Sequence, residues 1–221
     1  MIAVDTKKKD WSGSFRHSGR EWRPSGCPEE VSGYDFPDAR TGKAIPYGVY
    51  DGRAHKGWGT GGRDQDTAEV AVEGLRRWWK MLGQPPYPQA RELFIMADSG
   101  GSNSDRSRLW KYGLQHLAAQ TGVRISVCHF PPAPSQWNKI EHRLFCPITA
   151  NWRGRPRSSY EVGVNLMGAT TTREGLKVQA QLATHASPTG KKLSDEERAM
   201  GRIKPAVFHG DWNSTILPHR G

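Results

Sequence analysis

A chain of 221 residues is long enough for one domain with a sizeable core. Only 35% of it is hydrophobic, and its net charge of +10 points to a polyanionic partner, nucleic acid ahead of an acidic membrane surface. No apolar run approaches the roughly 18–20 residues of a membrane-spanning helix. The polar, lysine-rich start has no apolar signal-peptide segment, so a cytoplasmic location is expected, with no membrane and no small-molecule substrate. Cys27, Cys128 and Cys146 have neither disulfide nor metal spacing and read as reduced thiols. A zinc site from Cys128, His129, His142 and Cys146 is the weaker alternative.

In chain order, residues 1–6 read as a strand. Residues 7–44 are polar, with turn chemistry from Pro24 to Pro37. Residues 44–50 read as a second strand, which Pro46 places near an edge or at its start. Residues 56–63 stand where a third strand belongs, but their glycines weaken it and predict a loosened edge. A helix follows over 66–82, with Asp66 as N-cap, Glu69 three residues on, and apolar residues at helical spacing until Gly83 and the Pro85-Pro86 pair. Trp78 and Trp79 read as core packing rather than a base-stacking platform.

Residues 92–97 form a strand leading to Asp98. Residues 104–121 form a helix that Gly122 ends, and 123–130 form a further strand. After Pro131, Pro132 and Pro134 a helix begins near 135–137 and carries Glu141; Pro147 should kink or end it. Ser158 with Glu161 caps another helix to about residue 170, 175–182 form a strand, and Ser194 with Glu197 caps a short last helix. The tail after Pro205 reads as irregular. The domain is divided into a core, 1–157, and a C-terminal helical extension with an irregular tail, 158–221.

This order is a three-strand meander followed by alternating helices and strands. It predicts an α/β fold, a mixed five-stranded sheet with helices on both faces. The first strand can then lie parallel to the one ending at Asp98, with the Glu141 helix over the same edge. Asp5, Asp98 and Glu141 become candidate ligands for divalent metal, since clustered carboxylates need a counter-charge. Asp51 and Asp64 are rival acids on the same grounds, whereas Asp66 is better explained as a cap.

The stretches around these acids carry a resemblance. Val4-Asp5-Thr6-Lys7-Lys8-Lys9, Gly19-Arg20-Glu21-Trp22-Arg23-Pro24, Cys128-His129-Phe130-Pro131-Pro132 and Trp137-Asn138-Lys139-Ile140-Glu141-His142-Arg143 resemble the DDE transposases of bacterial insertion sequences in the ISAzo group, the Rhodopirellula type. So do Ala97-Asp98 with Gly100 to Asn103, and Asn151-Trp152-Arg153-Gly154. The resemblance runs from Val4 to about Pro218. It implies a ribonuclease-H-like fold, two Mg²⁺ or Mn²⁺ ions held by Asp5, Asp98 and Glu141, and cleavage at transposon ends followed by strand transfer. DNA is the implied partner, with a homo-oligomer on it in the bacterial nucleoid. Lys7, Lys8, Lys9, Asn138, Lys139 and Arg143 are the candidate DNA-binding residues; Asn138, one helical turn before Glu141, is placed to orient the acid or a phosphate.

Against the family pattern the chain reads as truncated before its first strand, with no helix-turn-helix segment ahead of Asp5. Ser99 stands where the family has glycine. A non-catalytic, basic DNA-binding remnant is therefore the alternative to an active transposase, and a stand-alone nuclease is the third reading.

Overall fold

The structure, a computed structural model, describes residues 1–7, 10–11, 19–31, 43–63, 66–131, 135–183 and 202–218. Strand β1 (Ile2–Thr6) pairs antiparallel with β3 (Lys43–Asp51), and β3 pairs antiparallel with β4 (Lys56–Arg63). On its other side β1 runs parallel to β5 (Glu92–Asp98), and β5 runs parallel to β6 (Arg124–Phe130). The central order β4-β3-β1-β5-β6 is the ribonuclease-H-like arrangement that the meander-then-crossover reading predicts.

Alternation along the strands splits the core between the two faces. Ile2, Val4, Tyr47, Val49, Ile95 and Ala97 pack with α1 (Ala68–Trp78) and α2 (Arg108–Thr121). Ala3 and Tyr50 pack with α3 (Cys146–Trp152), the turn ahead of it, and Met167 of α4 (Tyr160–Gly168). Trp78 is fully buried and Trp79 packs against the same cluster, so both belong to the core, as expected.

The sheet is wider than five strands. β7 (Lys177–Leu182) pairs parallel with β4, β9 (Asn213–Ile216) pairs antiparallel with β6, β8 (Ile203–Pro205) pairs with β9, and the two-residue β2 (Asp10–Trp11) pairs with β3. The strand expected over 175–182 is β7, whereas the tail after Pro205, expected to be irregular, contributes β9. Described residues beyond 157 give one helix and three strands, which close both edges of the sheet. β9 is only four residues long, too short to alternate visibly, and it is held by backbone pairing and the buried Ile216. The helix expected near Ser194 lies outside the described residues.

Two local expectations fail for physical reasons. Pro46 does not mark an edge, because β3 is flanked by β1 and β4. Instead Pro46 sits where the β1–β3 ladder stops. The Lys7 amide donates to the Pro46 carbonyl at 2.8 Å, and the N–H that proline lacks is missing only where β1 leaves the sheet. Nor is the glycine-rich β4 a loosened edge. Gly57, Gly59 and Gly61 alternate onto the helical face, where a Cβ would lie 2.3, 1.9 and 2.4 Å from Leu144, Met167 and Val164. The glycines let the helices sit directly on the strand. Gly59→Ala should therefore destabilise the fold by about 1–3 kcal/mol in urea unfolding, since buried Met167 must shift, and Met167→Ala on top should recover part of the loss.

The helix ends also move. Thr67, not Asp66, caps α1 by accepting from the Val70 amide, and Ser159, one residue beyond Ser158, caps α4. Pro147 does not end the Glu141 helix, which continues as α3 to Trp152. A turn of π-helix, Glu141–Phe145, precedes it and widens the spiral, so Pro147 falls in the first turn of α3, where its missing N–H is tolerated.

Candidate functional site

Parallel pairing of β1 with β5 sets Val4 opposite Ala97, so the next residues, Asp5 and Asp98, emerge level with each other at the C-terminal ends of adjacent strands. In open α/β sheets that edge is where ligands bind. Alternation turns both carboxylates to the face of Ala3 and Met96, the face on which the Glu141 helix packs. Asp51 pairs with Ile2 at the opposite end of β1 and accepts from the Arg53 and Ala54 amides, which makes it a turn residue. Asp64 lies outside the described residues.

Electrostatics couple the three acids. Burial, then the charge of Asp98, pushes the Asp5 carboxyl up from its ordinary 3.8 to about 8, against the pull of the Thr6 amide, which donates to it at 2.7 Å. Burial also raises Asp98, opposed by hydrogen bonds from Asn138 and Asp5 and by the charge of His129. The two carboxyls are therefore coupled: Asp5 keeps its proton into the neutral range and donates it in a hydrogen bond to Asp98, which burial also raises. Glu141 is raised by burial and then by Asp98, with Lys7 and His142 as opposing positive charges.

Asn138 is wholly buried. Its amide nitrogen donates to the Val4 carbonyl at 3.1 Å and to Asp98 Oδ1 at 3.0 Å, while its oxygen accepts from the Ile140 amide at 3.3 Å. One side chain thus joins β1, β5 and the start of the Glu141 helix. The acid its side chain bonds is Asp98, not Glu141 as expected, and its burial removes it from direct contact with DNA. Asn138→Ala should cost about 1–3 kcal/mol of stability, because the Val4 carbonyl loses its buried donor. Denaturant unfolding of the metal-free protein measures this loss.

The remaining candidates divide. Lys7 is only 8% exposed, its Nζ lies 4.9 Å from the Trp152 ring centroid, and its charge faces Glu141; it is an internal counter-charge rather than a phosphate contact. Lys139 and Arg143 are exposed beside Glu141. Lys8 and Lys9 lie outside the described residues.

Several supporting residues went unread in the sequence. Asn103 donates to the Asp98 carbonyl at 3.0 Å, and His129 places its ring nitrogens 2.9 Å from the Asn103 carbonyl and 2.6 Å from the Trp212 carbonyl. Ser99 donates to the Phe130 carbonyl at 2.6 Å and ties the ends of β5 and β6. Asp66, read as a cap, accepts from the Thr6 hydroxyl at 2.8 Å directly behind Asp5. Position within the quoted motifs was the available signal for Asn103 and His129; nothing in the sequence marks Asp66 for this contact.

Among the described residues no group of three or more His, Cys, Asp or Glu is arranged to hold a metal ion, which is as true of Asp5, Asp98 and Glu141 together as of Cys128, His129, His142 and Cys146. The Asp5–Asp98 pair nonetheless fits a hard divalent cation. Mg²⁺ is commonly held by one or two carboxylates plus water and phosphate oxygens rather than by an all-protein cage. Two close acids that retain a proton near neutrality lack the counter-charge such an ion brings.

No curated protein matches the chain. Among solved structures it is similar to the Mos1 transposase paired-end complex with left transposon end, at 15% identity and a TM-score of 0.45, covering 72% of this chain. A pre-cleavage Mos1 transpososome is similar at 13% identity and a TM-score of 0.46, and the Mos1 mariner paired-end complex with Mn at 16% and 0.43. This chain spans 44% of the length of each of those chains. No helix among the described residues is long and apolar enough to cross a membrane. The model of the Rhodopirellula transposase DDE domain matches residues 1–218, nearly the whole chain, and the protein belongs to that family.

Proposed function

We propose that this domain cuts DNA and transfers the cut strand, with Asp5, Asp98 and Glu141 as the acids that hold two divalent ions. The observation that carries the reading is the Asp5–Asp98 pair, two coupled acids brought level at the ends of adjacent parallel strands, each raised by burial. When bound, the ions supply an activated water or 3′-hydroxyl and neutralise the leaving oxygen of an in-line displacement. The chain's own groups do the positioning. Asn138 holds Asp98 by its side chain and β1 through the Val4 carbonyl, the Thr6 amide fixes Asp5, and Asn103 fixes the Asp98 carbonyl. Glu141 is the third acid, brought in from the facing helix, with Lys7 offsetting its charge. Exposed Lys139 and Arg143 offer charge to the phosphate backbone.

A second reading, a basic DNA-binding protein without turnover, is favoured by the open arrangement of the acids, which do not form a closed cage. Supercoiled DNA incubated with the protein and Mn²⁺ separates the two. The proposal expects nicked circles that EDTA suppresses, and joining of an added 3′-hydroxyl oligonucleotide to plasmid. Nicking without joining indicates a nuclease. Retardation of DNA in a gel with no metal-dependent nicking supports the binding protein.

A further inference from the structure

We infer that Trp137 is a stacking platform for an unpaired DNA base at the reaction site, an inference that rests on the DNA-processing reading above. Of the nine tryptophans, Trp58, Trp78, Trp110 and Trp152 are buried in the core, whereas Trp22 is wholly exposed and Trp137 58% exposed. A single exposed aromatic is ordinary on a protein surface. What distinguishes Trp137 is its address. It ends the 3-10 turn Ser135–Trp137, directly before the buried Asn138 that bonds Asp98, and one turn ahead of Glu141.

The backbone around the indole is fixed from both sides. Asn138 is tied to Val4, Asp98 and Ile140, and its carbonyl accepts from the Glu141 amide at 3.1 Å. His142 Nε2 lies 2.8 Å from the Gln136 carbonyl, which ties the turn to the helix. The indole is thus presented to solvent on a pinned turn. Lys139 and Arg143, which follow it in the chain, are exposed as well, in a chain of net charge +10. Cationic side chains suit phosphates, and a free π-face suits a base. In a duplex each base face is covered by its neighbours and only the edges are offered. The partner is therefore a base freed from its stack, as at a nick, a frayed end or a single strand.

The test is fluorescence anisotropy with a labelled single-stranded oligonucleotide and its duplex. It uses the Asp98→Asn protein, so that no cleavage intervenes, with and without Trp137→Ala or Trp137→Phe. Trp137→Ala should weaken single-strand binding by about tenfold, the order of one lost base–aromatic stack, while duplex binding and the melting temperature stay unchanged. Trp137→Phe should keep most of the affinity. Equal single-strand affinity with and without Trp137→Ala overturns the inference, as does an equal loss on duplex. A Phe variant as weak as the Ala variant excludes stacking. Loss of self-association with DNA binding intact would assign the indole to a second copy of the chain and overturn it too. Because binding is read in a cleavage-deficient background, the result is independent of the nicking assay that tests the activity.

Discussion

Asp98→Asn should abolish metal-dependent nicking of DNA and at the same time raise the melting temperature of the metal-free protein. The substitution keeps the shape of the side chain and its place opposite Asn138, but removes an anionic oxygen from the pair that would hold the ion. Loss of an ion ligand acts on the transition state, so the nicking rate should fall by more than about a hundredfold. The stability gain comes from the other side of the same design. Burial is the largest cause raising both Asp5 and Asp98, so an uncharged amide at 98 relieves a desolvation cost that the metal-free fold otherwise bears. Functional sites commonly cost stability in this way. A variant that loses both activity and stability would indicate that Asp98 is a structural residue. One that keeps wild-type nicking would remove it from the site.

The second large effect is on pH. In the folded protein Asp5 keeps its proton until about pH 8, whereas the unfolded chain releases it near 3.8. Between those values the folded state binds a proton that the unfolded state does not, so stability falls as pH rises across the window. The stabilisation is complete below the lower value and gone above the upper one. Asp98 and Glu141, both raised, add slopes of the same sign. Exposed Glu92 and Glu174 are shifted down and act the other way, in acid below their ordinary value of 4.5. Melting temperature measured in EDTA should therefore decline from about pH 5 to about pH 8.5. Added Mn²⁺ should flatten the decline, because the ion competes with the Asp5 proton and binds more tightly as that proton leaves. Asp5→Asn should remove most of the slope. A metal-free profile that climbs toward alkaline pH would show that the acids are not close.

Much of this was legible before the structure. The apolar runs 1–6, 92–97 and 123–130 become β1, β5 and β6, and strand order followed from the rule that a strand–helix–strand unit returns in parallel. That rule makes β5 parallel to β1, and Asp5 lies beside Asp98 because β5 takes the place next to β1. Glu141 was readable as an acid on the next helix, though its dependence on Lys7 was not. The misreadings share a cause, since each residue was judged by local propensity when its role is set by a distant contact. The β4 glycines look like poor strand material until α4 and the π-helical turn Glu141–Phe145 are placed on them. Asp66 has the sequence of a cap and the contact of a support for Thr6, sixty positions away in the chain. Lys7 looks like a solvated strand end and is buried against Trp152. Strand β9 has too few residues for any pattern and exists because β6 has an edge to cover.

Binding of Mn²⁺, followed by the electron paramagnetic resonance signal of the free ion, bears on the central claim without requiring knowledge of the DNA sequence. The parent protein should deplete free Mn²⁺ in a saturable way, more strongly near pH 8 than near pH 6, as expected where an ion displaces a bound proton. Asp5→Asn and Asp98→Asn should each lose that binding, and Glu141→Gln should weaken it less. Equal depletion by the parent and by both aspartate variants, or none by any of them with DNA present, would contradict the assignment of these carboxylates as the metal-holding centre.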